Sequence, residues 1–297
     1  MMNKLLIFAL VSMGLLSAVV RSEEITIKPA KLVLNAELLV ASEAITEGPM
    51  VLLLHGTLAH NKMEIIATMQ ELLADEGINS LAPNLSLGLN HRQGFYDCET
   101  DHLHRHENAK IELGYWVNWL KQQGVDRVLI AGHSRGGSQA AAYSIAADEV
   151  IKGQFLIAPS DSTQQSRAEG YEQRYMVALA DKIAQAKALQ AHEWMPERTS
   201  FIYCLRGGKV SAGSFLSYYD PQESLNTVDL LQGQTLPTLI VAGTADEVVA
   251  DLPAQIEAAD LPQVRFEILE DADHFFRDLY ADEVLELMLE HIEEVMP

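Results

Sequence analysis

The sequence is poor in cysteine and in basic residues. Only 2 of its 297 residues are cysteines, which excludes a disulfide scaffold, and no C-x-x-C pair indicates a metal or redox site. The 21 lysines and arginines are outnumbered by 42 aspartates and glutamates. Because the net charge of −21 repels phosphate backbones, we do not expect nucleic acid as a partner. Glycine-rich fingerprints for nicotinamide or flavin binding are also missing, so we expect no cofactor.

Long hydrophobic runs are missing apart from one at the N-terminus. There Lys4 precedes the mostly apolar residues 5–20, and the polar residues 21–24 follow. The run is shorter than the roughly 20 residues that span a bilayer comfortably, and the order basic, apolar, polar is typical of a signal peptide. We therefore expect residues 1–22 to be removed, by cleavage near Ala18 or Ser22, and the mature protein to be periplasmic or secreted with no integral membrane span. An uncleaved signal anchor is the alternative.

Short apolar runs alternate with segments of helical periodicity along the rest of the chain. The runs are rich in leucine and β-branched residues and cover residues 50–55, 78–82, 127–131, 154–158, 238–242 and 264–269. Strands that alternate with helices in this way indicate βαβ units and a buried, mostly parallel sheet. Residues 25–27 and 31–40 are predicted as antiparallel edge strands, and residues 62–76, 138–148 and 282–296 as helices.

The interval between the strands at 154–158 and 238–242 is longer than the others. It predicts an insertion, with a long helix at residues 168–194 and a part rich in Gly, Ser and Tyr at residues 201–234. We expect residues 161–235 to form a cap or lid over one end of the sheet. Residues 23–160 and 236–297 are then the α/β core.

A G-x-S-x-G motif, Gly132-His133-Ser134-Arg135-Gly136, follows the strand at 127–131 and precedes a segment of small residues. Strand, sharp turn and helix are the context in which this motif exposes a nucleophilic serine. Glycine on both sides leaves room for the strained turn, and the helix N-terminus favours negative charge near the Ser134 hydroxyl. The same pattern also occurs in unrelated glycine-rich turns, so its weight depends on partners elsewhere in the chain.

Two such partners follow later strands. Asp246 lies just beyond the strand at 238–242, and His274 lies in an acidic loop beyond the strand at 264–269. With this order of serine, acid and histidine, the chain from residue 50 onward resembles the α/β-hydrolase superfamily, in particular its esterase- and lipase-like serine hydrolases. The resemblance implies an α/β-hydrolase fold, in which helices flank a mostly parallel central sheet, with a helical cap insertion.

The resemblance also implies a role for each site residue. Ser134 is the expected nucleophile and His274 the general base, because an imidazole with a pKa of about 6.5 can accept the hydroxyl proton and return it. Asp246 is expected to orient His274 and to stabilise its charged form. Asp161, beyond the strand at 154–158, is the alternative acid.

Backbone N–H groups are expected to hold the oxyanion of the reaction. In members of this superfamily one donor is the residue after the nucleophile, here Arg135. The second is expected in the His-Gly turn at residues 55–58, where Thr57 follows the glycine and Leu58 is the adjacent alternative.

The activity that these residues imply is hydrolysis of a small-molecule carboxylic ester through an acyl-enzyme, as in carboxylesterases (EC 3.1.1). Thioesterases and peptidases or amidases use the same triad, so the sequence leaves those substrates open. A non-catalytic ligand-binding protein of the same fold is the alternative from another class. Neither a metal nor a cofactor is required by a serine mechanism, and the oligomeric state stays open.

A histidine-rich segment and the two cysteines allow further interpretations. His91, His102, His104 and His106 lie within residues 85–108, and they indicate either a metal site or a polar loop with local hydrogen bonds. In the same segment, Arg92 and Arg105 either serve an anionic substrate group or pair with acids. Cys98 and Cys204 lie in segments that both extend from carboxyl ends of predicted strands, and they form either a bridge or two buried thiols.

Overall fold

The computed structural model describes residues 20–29, 31–146, 148–196, 199–205, 207–222 and 226–297. The predicted signal peptide, residues 1–22, lies outside these ranges except for its last three residues, and the first strand begins at Arg21. No helix within these ranges combines the length and the apolar character that crossing a bilayer requires.

Eight strands in the described ranges form one sheet. They are β1 Arg21–Ile27, β2 Leu34–Val40, β3 Met50–Leu54, β4 Asn79–Asn84, β5 Val128–His133, β6 Ile151–Ile157, β7 Thr238–Gly243 and β8 Val264–Leu269. Their order across the sheet is β1-β2-β4-β3-β5-β6-β7-β8. β2 is antiparallel to both β1 and β4, and every other neighbouring pair is parallel. This confirms the predicted mostly parallel sheet with antiparallel strands upstream.

Helices connect the strands and cover the sheet. In the described ranges they are α1 Glu64–Asp75, α2 Asn108–Gln122, α3 Arg135–Ser144, α4 Gln164–Tyr175, α5 Leu179–Lys187, α6 Ala212–Tyr219, α7 Thr227–Leu231, α8 Leu252–Ala258 and α9 Leu279–Val295. β3, β5 and β7 are buried along their whole length. Such strands carry continuous apolar runs because both faces of the sheet are covered.

The single long helix predicted at residues 168–194 is wrong. α4 ends where Met176 takes a left-handed conformation, with φ of 58°, and α5 begins three residues later. The break lets both helices face one apolar cluster, which is separate from the sheet core and contains Tyr171, Leu179, Phe201 and Phe215 among others. α4 to α7 all lie between β6 and β7. The boundaries 161–235 and the role of a cap stay predictions.

The carboxyl ends of the parallel strands meet along one edge of the sheet. The segments that follow β3, β5, β6, β7 and β8 therefore lie beside one another, in the order in which the strands pair. All of the residues assigned from the sequence to a reaction are in these segments.

Candidate active site

Ser134 occupies a strained turn between β5 and α3. Its φ of 55° and ψ of −124° are rare for a residue with a side chain, and its N–H donates to the Ile157 carbonyl at 2.9 Å. A Cβ atom on Gly132 would overlap the carbonyl of Gly136, and one on Gly136 would overlap the carbonyl of His55. Glycine is required on both sides because backbone closes against backbone there, and the turn leaves Ser134 half-buried at the edge of the sheet.

His274 and Asp246 form a buried hydrogen-bonded pair. Asp246 follows β7 and His274 follows the adjacent strand β8, which places His274 Nδ1 at 2.7 Å from Asp246 Oδ2. The other carboxylate oxygen, Oδ1, accepts the N–H groups of Val248 at 2.7 Å and Val249 at 3.1 Å. The carboxylate therefore fixes the orientation of the imidazole from one side.

The pKa of Asp246 lies below its ordinary value. Burial on its own would raise this pKa, but the hydrogen bond and charge of His274, with the two backbone donors, more than offset it. Asp246 is thus ionised near neutral pH and accepts the Nδ1 proton of His274. The lone pair of that ring is then on Nε2, the atom that a general base uses.

The turn that carries Ser134 is packed against the loop that carries His274. His133, directly before the serine, has its Nε2 at 2.8 Å from the His274 carbonyl oxygen, and the two rings are 4.8 Å apart. No hydrogen bond in the described ranges joins the Ser134 hydroxyl to His274 directly, which is common before a substrate is bound. The structure thus brings Ser134, Asp246 and His274 to one place.

Asp161 is buried nearby but does not contact His274. Its Oδ2 accepts the N–H of Asp251 at 3.0 Å, and burial raises its pKa to about 6. An acid that orients a histidine has to be ionised and in contact with the ring. The geometry therefore favours Asp246 over Asp161 for that role.

Thr57 and Arg135 lie together because β3 and β5 are parallel neighbours. Arg135 Nε donates to Thr57 Oγ1 at 2.9 Å, so one side chain ties the two turns together. Within the described part of the chain, neither backbone N–H donates to a protein acceptor. Two unbonded N–H groups beside a nucleophile are what an oxyanion hole needs.

His55 holds the Thr57 turn in place. Its Nε2 accepts the N–H of Leu85 at 3.0 Å, and its Nδ1 is 2.9 Å from the Gly56 carbonyl, so Nδ1 carries the proton. Burial and the charge of Arg92 lower the pKa of His55 to about 3, which keeps the ring neutral. This supporting role was not assigned from the sequence, although the position of His55 at the end of a buried strand was a signal for it.

Neither arginine of the histidine-rich segment is placed to bind substrate. Arg92 is buried and donates to the carbonyls of Leu85 and Ala59, at 2.7 and 2.8 Å. Arg105 pairs with Glu107. The sequence left open whether Arg92 serves an anionic substrate group or pairs with an acid, and the described structure shows neither, because its donors bond backbone carbonyls and the Asn84 side chain.

The histidines at 102, 104 and 106 are buried, and the rings of His102 and His104 form local hydrogen bonds. His102 Nδ1 is 3.2 Å from His104 Nε2, and His104 Nδ1 is 2.9 Å from the Tyr218 hydroxyl. Burial lowers the pKa of His102 to about 4 and those of His104 and His106 to about 3. In the ranges that the structure describes, no three His, Cys, Asp or Glu side chains are grouped as metal ligands would be.

Cys98 and Cys204 are joined by a disulfide, with their Cα atoms 5.4 Å apart. The sequence left open a bridge or two buried thiols, and the structure shows the bridge. It ties the segment after β4 to the segment between α5 and α6, which includes Tyr203.

An eight-stranded sheet that presents a strained serine turn beside a buried histidine–aspartate pair is the architecture of an α/β hydrolase. A model of the alpha/beta hydrolase family matches residues 51–287, and the chain belongs to this family.

Solved structures share the fold at low sequence identity. Est1E from Butyrivibrio proteoclasticus is 18% identical with a TM-score of 0.63, and the match covers 91% of this chain and 99% of that one. A thermophilic esterase from Thermogutta terrifontis is 18% identical with a TM-score of 0.57, covering 93% and 100%. An alpha-beta serine hydrolase homologue from Coxiella burnetii is 18% identical with a TM-score of 0.56, covering 91% and 96%. No curated protein matches the sequence at a significant level.

Proposed function

We propose that the protein is a serine hydrolase that cleaves carboxylic esters through an acyl-enzyme. Ser134 is the nucleophile, His274 the general base and acid, and Asp246 the residue that orients His274. The observation that carries the proposal is the 2.7 Å contact between His274 Nδ1 and Asp246 Oδ2, beside the strained turn of Ser134. Solved structures of the same fold that are described as an esterase and as a serine hydrolase homologue support it.

In the acylation step the Ser134 oxygen bonds to the carbonyl carbon of the ester, and the hydroxyl proton passes to His274 Nε2. The carbonyl electron pair moves to its oxygen, which the N–H groups of Thr57 and Arg135 stabilise. When the carbonyl re-forms, the bond to the alcohol oxygen breaks and that oxygen takes the proton from His274. Water then repeats the sequence on the acyl-serine, which releases the carboxylic acid and restores the Ser134 hydroxyl.

Thioesters, amides and peptides could react by the same steps, so the substrate panel has to include them. The predicted export of the protein, to the periplasm or the medium, is part of the proposal. The Cys98–Cys204 disulfide supports export, because such bridges persist in oxidising compartments.

The test combines covalent labelling with turnover. We expect a fluorophosphonate probe to label the wild type at Ser134, and Ser134→Ala to lower ester hydrolysis by roughly three to six orders of magnitude. Ser144→Ala is the matched control, because Ser144 is a buried serine at the other end of α3 and its hydroxyl donates to the Ala140 carbonyl. A Ser134→Ala variant that keeps more than a few per cent of the activity would show that the nucleophile is another residue.

A further inference from the structure

A cavity of about 280 Å³ is lined in part by Arg135 and Glu247, the residues that directly follow Ser134 and Asp246 in the chain. Arg135, Asp161 and Val248, from the segments after β5, β6 and β7, line one side of it. Arg135 directly follows Ser134, and the N–H of Val248 donates to Asp246. The remaining lining comes from α4, from the end of α6 and from residues 202–203. The triad residues themselves do not line the cavity, so its link to the triad is through their direct chain neighbours Arg135 and Glu247.

Three arginines converge on this cavity: Arg135, Arg167 and Arg174. Arg167 and Arg174 are seven residues apart on α4, so they lie on the same face of that helix. In a chain with 42 acidic and only 21 basic residues, such a grouping is not a product of composition. Arginine presents a planar fork of N–H donors that matches the two oxygens of a carboxylate.

Two of the three guanidinium groups lie over tyrosine rings, in cation–π contacts. The Arg135 guanidinium lies 5.4 Å from the ring centre of Tyr218, and that of Arg174 lies 4.3 Å from the ring centre of Tyr203. In the described ranges neither arginine forms an ion pair with a carboxylate. Among the residues that the structure describes, no carboxylate is therefore paired with either of these two positive charges.

Arg135 and Arg167 are close enough to influence each other. Burial and the charge of Arg135 lower the pKa of Arg167, while Tyr219 and Asp229 act in the opposite direction. An anion placed near both groups would be favoured by both charges, in addition to the interactions that Arg167 already has within the protein.

The acidic residues of the cavity lie on the side of β6 and β7. Glu247 and Asp251 are exposed at the rim. Asp161 is buried and bonds the Asp251 backbone, and its raised pKa makes it partly protonated near pH 6. A ligand with a single anionic group can bind the arginines alone. A polyanion would also be repelled by these acidic residues. Five tyrosines also line the cavity, and their rings suit the apolar part of a ligand.

We propose that this cavity binds a carboxylate carried by the substrate, with Arg167 and Arg174 as specificity-determining residues. The preferred substrates are then esters in which the acid or the alcohol part carries a second, ionised carboxyl group. This inference rests on the proposed ester hydrolysis and names its substrate class.

The test compares matched esters. The 4-nitrophenyl monoester of glutaric acid is paired with 4-nitrophenyl pentanoate, and 4-acetoxybenzoate with 4-acetoxybenzamide, so the carboxylate is on the acid part in one pair and on the alcohol part in the other. After subtraction of the enzyme-free rate, we expect kcat/KM to favour the carboxylate by about tenfold or more in at least one pair.

Substitution of the arginines should remove this preference. Arg167→Gln and Arg174→Gln are each expected to lower the ratio of the two kcat/KM values by about tenfold. Arg265→Gln is the control, because Arg265 lies on β8 and pairs with Glu267 and Glu290, outside the cavity. Arg174 is exposed, so its variant should fold even if Arg167→Gln does not. No preference in either pair, or a preference that survives both substitutions, would overturn the inference.

A binding measurement separates this inference from the proposed function. Benzoate and benzamide are titrated calorimetrically into Ser134→Ala, and into the same variant with Arg174→Gln. Benzoate should bind the first protein at least tenfold more tightly than benzamide, and this difference should be lost in the second. Neutral esters that are hydrolysed without any carboxylate preference would refute the cavity assignment alone. Benzoate binding without esterase activity or labelling of Ser134 would refute the proposed function alone.

Discussion

Two buried aspartates follow neighbouring strands, and their surroundings give them different properties. Asp246 accepts hydrogen bonds from His274, Val248 and Val249, which hold its pKa below the ordinary value although burial opposes this. Asp161 accepts one N–H, from Asp251, and burial raises its pKa to about 6. Asp246 is therefore held in the ionised form that orients a histidine, whereas the surroundings of Asp161 favour its neutral form.

Substitution of each aspartate by asparagine tests this difference in turnover. Asp246→Asn should lower kcat by about 10³–10⁴-fold, because an amide no longer fixes the tautomer of His274 that leaves Nε2 as base. Asp161→Asn should have a far smaller effect on the hydrolysis of a neutral 4-nitrophenyl ester. The measurement is kcat for both variants at saturating ester, and the reverse ranking would assign the acid to the segment after β6.

Asp161 also predicts a dependence of stability on pH. The folded-state pKa of Asp161, about 6, is above the unfolded value of 3.8, so the folded protein binds this proton more tightly. The associated stability is present at low pH and is lost as pH rises from about 4 to about 6. Asp161→Asn should therefore raise the free energy of unfolding at pH 8, by at most about 3 kcal/mol, and much less at pH 4.

Urea unfolding of wild type and variant at the two pH values measures this effect. Asp126→Asn is the control, because the side chain of Asp126 is 85% exposed. If Asp161→Asn changed the stability equally at pH 4 and pH 8, the carboxyl would not have a raised pKa.

At the level of elements, the disulfide joins two irregular segments that also share hydrogen bonds. The His102 N–H donates to the Lys209 carbonyl at 2.6 Å, and the Lys209 N–H donates to Asp101 Oδ1 at 2.8 Å. Tyr203, whose ring stacks on Arg174, is next to Cys204 in the chain. The bridge therefore anchors part of the cavity wall as well as the segment itself.

Removing the bridge should cost stability. Cys98→Ser combined with Cys204→Ser should lower the free energy of unfolding by roughly 4–5 kcal/mol on the chain-entropy estimate, because the loop between the cysteines is long. Denaturant unfolding measures the loss, and the reduced wild type should match the double variant. The oxidised protein should show no free thiol after alkylation under denaturing conditions, and two free thiols would contradict the bridge.

The elements that sequence reasoning missed are amphipathic ones. α2 was not predicted, although its buried residues Leu113, Trp116, Val117 and Leu120 have helical spacing. α2 directly follows the histidine-rich segment. Because that segment is polar, no change in the sequence pattern marks where the helix begins. The break between α4 and α5 carries no glycine or proline, and it follows from packing of both helices on one cluster, which no local pattern records.

For the whole molecule, the sheet was predictable because strands buried on both faces leave continuous apolar runs in the sequence. Ser134, Asp246 and His274 were assigned as a group because their motif and their order along the chain resemble those of α/β hydrolases. Each follows one of these strands, and parallel strands end at the same edge. The cavity was not predictable. Arg135, Arg167 and Tyr203 come from three distant segments, and only the tertiary fold brings them together.

The Cys98–Cys204 bridge also divides the chain topologically. It closes a ring with a sequence separation of 106, and Ser134 lies inside the ring while Asp246 and His274 lie outside it. A force applied to the two ends of the oxidised chain would extend the segments that carry the acid and the base but would not stretch the strand that carries the nucleophile. At about 3.3–3.6 Å per residue, the ring stores roughly 350–380 Å of contour length that only a reductant would release.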